Sequence, residues 1–94
     1  MDLTLEHDET AHRYQLLRDG TPVSLADYRE LDDGRTLVFH HTLTPVEFRG
    51  NGYAEALVAR ALDDVRASGR KVVPTCWFVA DFLDLHPEYQ DLRA

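Results

Sequence analysis

The sequence is poor in cysteine, in positive charge and in long apolar runs, and each shortage excludes a class of protein. Its 94 residues include one cysteine, Cys76, so no internal disulfide framework can form and a cytoplasmic location is expected. No apolar run approaches the roughly 20 residues of a transmembrane helix, and the N-terminus lacks the basic and apolar regions of a secretion signal. Ten Lys and Arg against 17 Asp and Glu give a net charge of −7, which argues against nonspecific nucleic-acid binding.

The remaining composition is that of an ordinary soluble globular protein, with 44% hydrophobic and 29% charged residues. Two separate cores in a chain of this length would each be too small to be stable. We therefore expect a single domain over residues 1–94.

The first half of the chain predicts β-strands separated by tight turns. Asp19-Gly20 is typical of a hairpin turn because both residues tolerate positive φ, and Asp32-Asp33-Gly34 indicates a second turn. In the third strand, alternation places Val23, Leu25 and Tyr28 on the buried face. The predicted strands are Leu3–Glu6, Arg13–Leu17, Pro22–Arg29 and Thr36–Leu43.

The second half changes to a helical period. Apolar residues recur at i, i+3, i+4, i+7, i+8 and i+11, which predicts an amphipathic helix of about four turns. These residues are Ala54, Leu57, Val58, Ala61, Leu62 and Val65. Gly69 suits the left-handed position after the helix end, and the pair Asp63-Asp64 is expected to be solvated.

A short strand, Lys71–Cys76, and a second helix, Trp77–Leu85, complete the pattern, and Trp77 and Phe78 are expected in the core or a cleft wall. The predicted class is α+β, with an antiparallel β-meander followed by a β-α-β crossover and a C-terminal helix. The two crossover strands, Thr36–Leu43 and Lys71–Cys76, should be parallel and connected with right-handed topology.

The segment that indicates chemistry is Arg49-Gly50-Asn51-Gly52-Tyr53-Ala54, between a predicted strand and the long helix. A glycine-rich turn entering a helix presents backbone N–H groups to an anion, and glycine leaves no Cβ to keep the anion away. The alternative is a tight turn that uses glycine only for its dihedral angles. A Walker phosphate loop is excluded because no Gly-Lys-Ser/Thr follows.

This segment resembles motif A of the GNAT N-acetyltransferase superfamily. Four blocks in order are similar to its small stand-alone members, the YjdJ type: His41-Thr42, Arg49-Gly50-x-Gly52, Pro74-x-Cys76 and His86-Pro87-Glu88-Tyr89. The resemblance implies a GNAT-like fold and acetyl-coenzyme A as co-substrate. No metal is expected, because the sequence has neither a CxxC nor an HxxxH spacing. It implies that the amides of Arg49, Gly50, Asn51, Gly52, Tyr53 and Ala54 hold the pyrophosphate. It also implies that the strand carrying Phe39, His41 and Leu43 pairs with the pantetheine arm.

Cys76 and His41 are the candidate catalytic residues. The resemblance places a cysteine near the thioester, where Cys76 could accept an acetyl group; the alternative is a buried small hydrophobe. Neighbours on a regular strand point to opposite faces, so His40 and His41 cannot jointly chelate a metal. His41 could act as a general base or could be a hydrogen-bonded structural residue.

Two functions follow from the resemblance. The first is an acetyl-coenzyme A-dependent N-acetyltransferase acting on an unidentified amine, with neither nucleic acid nor membrane as partner. The second is a coenzyme A-binding sensor or carrier that uses Cys76 with little or no turnover. The second is favoured by two departures from the family pattern, since relatives often carry Glu in place of Leu43 and Tyr in place of Phe82. It is also favoured by the absence of N-terminal helices with which larger relatives build a substrate pocket.

Overall fold

The structure is a computed structural model that describes residues 2–94. Its strands and helices in chain order are β1 (Leu3–Asp8), β2 (Arg13–Arg18), β3 (Thr21–Leu31), β4 (Thr36–Leu43), α1 (Tyr53–Ala67), β5 (Lys71–Pro74) and α2 (Trp77–Leu85). Short 3₁₀ turns cover Asp32–Gly34, Val46–Phe48 and Pro87–Leu92. Both α-helices and all five strands correspond to elements predicted from the sequence.

The five strands form one sheet in the order β1-β2-β3-β4-β5. Neighbours from β1 to β4 are antiparallel, and β4 pairs with β5 in parallel across helix α1. The predicted meander and β-α-β crossover are therefore confirmed.

Positive φ angles occur where the sequence predicts them. Asp19 and Gly20 have φ of 48° and 83°, as a two-residue hairpin turn between β2 and β3 requires. Gly69 has φ of 74° and follows helix α1. Its N–H bonds the Arg66 carbonyl and that of Arg70 bonds the Val65 carbonyl, which is the Schellman arrangement at a helix end.

The core lies on one face of the sheet, where α1 and α2 pack. Buried residues from both helices form a single cluster with side chains of β2 to β5. In α1 the predicted apolar stripe is confirmed from Leu57 to Val65, while Ala54 at its start is only half-buried. Helix α1 contributes Tyr53, Leu57, Val58, Ala61, Leu62 and Val65 to the cluster.

The predicted orientation of Leu25 is wrong because β3 contains a bulge. Leu16 pairs with Ser24 and Leu17 with Pro22, so Val23 is an extra residue between two aligned pairs. The alternation shifts beyond it. Val23, Ala26 and Tyr28 enter the core, whereas Leu25 pairs with Leu43 on the opposite face and is half-buried.

The expectation that Asp63 and Asp64 of α1 are both solvated is wrong in part, because each carboxylate accepts a hydrogen bond from a tyrosine. Asp64 is half-buried and accepts a hydrogen bond of 2.6 Å from the Tyr14 hydroxyl, with Nδ1 of His7 3.4 Å away. Asp63 accepts one of 3.1 Å from the Tyr89 hydroxyl. Burial, followed by the hydrogen bond to Asp64, raises the pKa of Tyr14 well above its usual range.

Neither helix within residues 2–94 combines the length and the apolar character that a membrane crossing requires.

Candidate functional site

Strands β4 and β5 separate at the end of the sheet from which the chain enters α1. Their pairing runs from Thr36 opposite Lys71 to Phe39 opposite Pro74, and β4 continues to Leu43 without a β5 partner in the described chain. The predicted strand Lys71–Cys76 thus ends two residues early. The reason is that the N–H groups of Thr75 and Cys76 both turn to the Phe39 carbonyl, each at 3.0 Å.

The glycine-rich segment follows this open part of β4 after the short 3₁₀ turn Val46–Phe48. Gly50 and Gly52 have φ of 81° and 76°, and Gly52 is the N-cap of α1. The first turn of a helix has N–H groups without intrahelical acceptors, and no side chain caps this one. The amides of Ala54 and Glu55 therefore belong to a turn that can receive an anion.

Two side chains brace the segment from within. Nε of Arg49 donates to the Thr44 carbonyl at 2.9 Å, which closes the loop onto the end of β4. The Asn51 amide nitrogen donates to the Phe48 carbonyl at 3.0 Å. Both side chains are exposed, so the guanidinium charge of Arg49 stays at the loop surface.

The loop and the helix start enclose a pocket of ≈ 140 Å³. A Cβ at Gly50 would meet no atom within 4 Å, and one at Gly52 would meet only Oε2 of Glu55, at 4.0 Å. The glycines therefore leave the pocket open. The pocket carries opposite charges from Arg49 and Glu55, and its lining is Thr44, Phe48, Arg49, Gly50, Gly52, Tyr53, Ala54 and Glu55.

Cys76 is the N-cap residue of α2 and is half-buried. Its Sγ lies 3.5 Å from the Thr42 hydroxyl, on the part of β4 that extends beyond β5. The thiol therefore lies at the separation of the two strands, next to a hydroxyl rather than an imidazole.

His41 lies on the other face of the sheet. A second bulge, at His40, interrupts β4: Asp27 pairs with His41 and Tyr28 with Phe39. The alternation assumed for a regular strand fails here, and both histidines are exposed. No contact joins His41 to Cys76 among the interactions described for residues 2–94.

The other predicted ligand contacts differ in how accessible they are. The Phe39 side chain is buried in the core, whereas Leu43 is 43% exposed at the end of β4. The Tyr53 ring is buried, and its hydroxyl accepts a hydrogen bond of 2.9 Å from Arg18. Of these three residues, only Leu43 therefore offers an accessible side chain. Tyr53 can contribute its backbone amide, and the Phe39 carbonyl already accepts hydrogen bonds from Thr75 and Cys76.

A second pocket, missed from the sequence, lies between the start of α1 and helix α2. It has a volume of ≈ 200 Å³ and shares Glu55 with the glycine-rich pocket. Trp77 is 73% exposed and lines this pocket with Phe78, so its expected place in a cleft wall is confirmed and its expected place in the core is wrong. The lining residues are Glu55, Trp77, Phe78, Asp81, Phe82, Leu85 and His86. Within residues 2–94, no three His, Cys, Asp or Glu side chains converge as a metal site.

Comparisons with known proteins agree with this architecture. The family model described as GCN5-related N-acetyl-transferase matches residues 13–92. Protein NATD1 of Danio rerio is 28% identical over 89 residues, which cover 93% of this chain and 81% of that protein.

Two solved structures are similar in fold. The solution structure of a GCN5-like protein from Staphylococcus aureus has a TM-score of 0.71 at 20% identity, covering 98% of this chain and 88% of that one. N-acetylglutamate synthase from Neisseria gonorrhoeae, complexed with coenzyme A and N-acetyl-glutamate, has a TM-score of 0.57 at 18% identity. That match covers 77% of this chain and 19% of the synthase.

Proposed function

The chain belongs to the GCN5-related N-acetyl-transferase family, and on that premise we propose that it transfers an acetyl group from acetyl-coenzyme A to an amine. One observation carries the proposal: β4 runs past its pairing with β5, next to an uncapped helix start that follows two left-handed glycines. An elongated ligand with an anionic centre fits such a site. We also propose that the chain is a single small domain of the YjdJ type that works in the cytoplasm.

The glycine-rich pocket supports the binding of a pyrophosphate. Side chains are absent at Gly50 and Gly52, so phosphate oxygens can approach the backbone amides closely. Arg49 adds positive charge at the loop, and the helix dipole adds a partial positive charge. The carboxylate of Glu55 opposes both and must turn away when an anion enters.

The open part of β4 supports main-chain pairing with the pantetheine arm. The Phe39 carbonyl already accepts bonds from Thr75 and Cys76, so the groups available for pairing begin at His40. His41 and Leu43 then contribute through their backbone. We propose that the reactive thioester lies at the separation of the strands, near Cys76.

Acetyl-coenzyme A supplies an acetyl group activated as a thioester. We propose that Cys76 receives it in a thiol exchange: a sulfur–carbon bond forms at Sγ, one breaks at the coenzyme sulfur, and the Cys76 proton passes to the departing sulfur. The Thr42 hydroxyl orients Sγ. In the second step the amine nitrogen bonds to the acetyl carbon, the carbon–sulfur bond to Cys76 breaks, and the proton that the amine loses restores the Cys76 thiol. His41, exposed on the opposite face, is the proposed base that carries this proton from the amine.

A coenzyme A-binding sensor or carrier is the second candidate. It is favoured because the polar group in contact with Sγ of Cys76 is the hydroxyl of Thr42 rather than a base. Leu43 and Phe82 likewise offer no group that exchanges protons. In this function Cys76 would hold the acyl group, or a disulfide with coenzyme A, without passing it on.

Titration with acetyl-coenzyme A, followed by ¹H–¹⁵N chemical shifts, tests the binding site. The largest shifts are expected at the amides from Arg49 to Ala54 and on His40 to Leu43. Unchanged shifts at saturating concentration would exclude both candidate functions. Release of free thiol that depends on an added amine supports the transferase, and binding without such release over a panel of amines supports the carrier.

A further inference from the structure

The chain contains one asparagine, Asn51, and it directly precedes Gly52 in the glycine-rich loop. In an Asn-Gly pair the backbone nitrogen of the glycine can attack the side-chain amide carbon of the asparagine, because no Cβ shields that nitrogen. The attack forms a cyclic imide and releases ammonia, which is the first step of deamidation. In a folded chain the reaction depends on exposure, on the pairing of the glycine N–H and on what holds the asparagine side chain.

The backbone at Gly52 is open to the attack. Asn51 and Gly52 are both exposed. Across the described chain, from Asp2 to Ala94, no acceptor is paired with the Gly52 N–H, while the Gly52 carbonyl accepts from the amide of Ala56 at 3.1 Å. A Cβ placed on Gly52 would meet only Oε2 of Glu55, at 4.0 Å. Within residues described by the structure, the attacking nitrogen is therefore neither hydrogen-bonded nor covered by packed side chains.

The Asn51 side chain braces the loop through its amide nitrogen. Nδ2 donates to the Phe48 carbonyl at 3.0 Å and to the Arg49 carbonyl at 3.4 Å, and the second bond is the longer and weaker of the two. Both bonds are exposed, so water competes for the same groups. A hydrogen bond of this kind favours the bonded state by a factor of roughly five, so the brace slows release of the side chain without preventing it.

We propose that Asn51 is a deamidation site and that the reaction inactivates the glycine-rich loop. The Gly52 nitrogen forms a bond to Cγ of Asn51 and gives up its proton, and Nδ2 leaves with that proton as ammonia. Water then opens the imide at one of its two carbonyls. The products are aspartate in the normal main chain and isoaspartate, in which the main chain runs through Cβ and Cγ.

Both products lose the amide that braces the loop. In aspartate, a carboxylate that only accepts hydrogen bonds faces the carbonyl oxygens of Phe48 and Arg49, which repel it. Its charge joins that of Glu55 at the candidate anion pocket and opposes the entry of phosphate. In isoaspartate, the main chain gains a methylene group before Gly52, which displaces the N-cap of α1. The loss of binding rests on the proposed coenzyme A site, whereas the chemistry at Asn51 does not.

Bound coenzyme should suppress the reaction. In the proposed complex the pyrophosphate lies against the loop amides, so the Gly52 nitrogen is covered and the brace stays closed. A ligand that binds only the closed loop lowers the population of the reactive form by a factor of 1 + [L]/Kd, or about a hundred at 100 times Kd. The modification therefore inactivates protein that lacks coenzyme and spares protein that holds it.

Intact mass spectrometry of the full chain measures the modification. At mildly alkaline pH the wild type should gain the mass of one amide-to-acid conversion, and peptide mapping should place it at Asn51 with isoaspartate present. Asn51→Gln keeps an amide and closes an imide ring far more slowly, so it is the matched control and also reports any conversion at Gln15 and Gln90. The wild-type chain unfolded in urea gives the rate of the free sequence. If the unfolded chain converts and the folded chain does not, the proposal is wrong.

Asn51→Asp reproduces the aspartate product and tests its consequence. Its affinity for acetyl-coenzyme A should be about tenfold weaker than that of the wild type, the equivalent of one lost charge-assisted hydrogen bond. Asn51→Ala removes the brace without adding charge and should lie between the two. The ¹H–¹⁵N spectrum establishes that each variant is folded. An unchanged affinity in folded Asn51→Asp would refute the inactivation.

The outcomes separate this inference from the proposed function. If the wild type converts at Asn51 and binds no coenzyme A, the proposed function fails and the modification site stands. If coenzyme A binds and Asn51 does not convert, the modification fails and the proposed function stands. If saturating coenzyme A leaves the conversion rate unchanged, the protection of the loop by its ligand is wrong.

Discussion

The role of Gly52 can be separated from its conformation by a matched pair of substitutions at the two ends of α1. Gly52 has φ of 76° and Gly69 has φ of 74°. An added Cβ meets nothing within 4 Å at Gly69 and only Oε2 of Glu55, at 4.0 Å, at Gly52. Gly52→Ala and Gly69→Ala therefore impose the same backbone strain without a steric clash, and only the first places a methyl group in the candidate anion pocket.

The loss of stability should be similar in both variants. A left-handed conformation costs a residue with a Cβ roughly 1–2 kcal/mol. Replacing glycine by alanine also lowers the conformational entropy of the unfolded chain, which offsets about 0.4–1 kcal/mol of that cost. The net loss is thus about 1 kcal/mol, which lowers the melting temperature of a domain this small by roughly 4–8 °C. Gly52→Val is a poorer probe because a β-branched residue at positive φ adds further strain.

The response to ligand should differ. Loss of one charge-assisted hydrogen bond between the loop amides and a phosphate costs about 1.5–3 kcal/mol, or tenfold or more in affinity. At 100 times the wild-type Kd, acetyl-coenzyme A should stabilise the wild type and Gly69→Ala by about 2.7 kcal/mol, and Gly52→Ala by about half of that or less. Thermal unfolding with and without ligand measures both quantities. Equal ligand stabilisation of the two variants would refute the anion-loop assignment.

Three further predictions concern Cys76, Glu55 and a set of three buried tyrosines. Coenzyme A should protect Cys76 from alkylation, and Cys76→Ala should keep coenzyme binding while losing thiol release. Intact mass measures the alkylation rate. Equally slow alkylation with and without coenzyme would remove Cys76 from the mechanism. Glu55→Gln should bind acetyl-coenzyme A several-fold more tightly in calorimetry and lose about 0.3–1 kcal/mol of stability, because a carboxylate at a helix start favours the helix and repels phosphate; weaker binding would contradict this. Burial raises the pKa of Tyr14, Tyr28 and Tyr89 in the folded state. The unfolded chain therefore releases the phenol protons first as pH rises above ~10. The contribution of these three residues to the free energy of unfolding is complete below pH ~10 and is lost above it. Denaturant titrations between pH 8 and 11 should show this decline, and a smaller decline in Tyr14→Phe; a pH-independent free energy of unfolding would contradict it.

Much of the fold could be predicted from local pattern. The bounds of β4 and α2 are those predicted, and α1 follows its apolar period. Two further features depend on the dihedral preferences of single residues: the turn at Asp19 and Gly20, and the helix end at Gly69. Such preferences can be inferred from the sequence alone. The glycine-rich segment before a periodic helix predicts an anion site, and that site stays a prediction.

The candidate site was only partly predictable because its geometry depends on pairing between distant segments. One extra residue in a strand reverses the face of every residue beyond it. The bulges at Val23 and His40 leave Leu25 outside the core and remove the alternation assumed for His40 and His41. Nothing in the local pattern of either strand marks these positions.

The sequence by itself determined the order of elements, the ends of α1 and the glycine loop, since these depend on the preferences of neighbouring residues. The tertiary structure alone decided which distant groups meet: Thr42 with Cys76, Tyr14 with Asp64, and Glu55 with Trp77 across the second pocket. The Thr42–Cys76 contact arises where β5 stops pairing with β4, and the Tyr14–Asp64 hydrogen bond arises where α1 packs on β2. Glu55 and Trp77 line one pocket because α2 lies beside α1. A strand pairing ends where turn hydrogen bonds replace those of the sheet. Here the backbone amides of Thr75 and Cys76 both donate to the Phe39 carbonyl, and the pairing of β4 with β5 stops at that point.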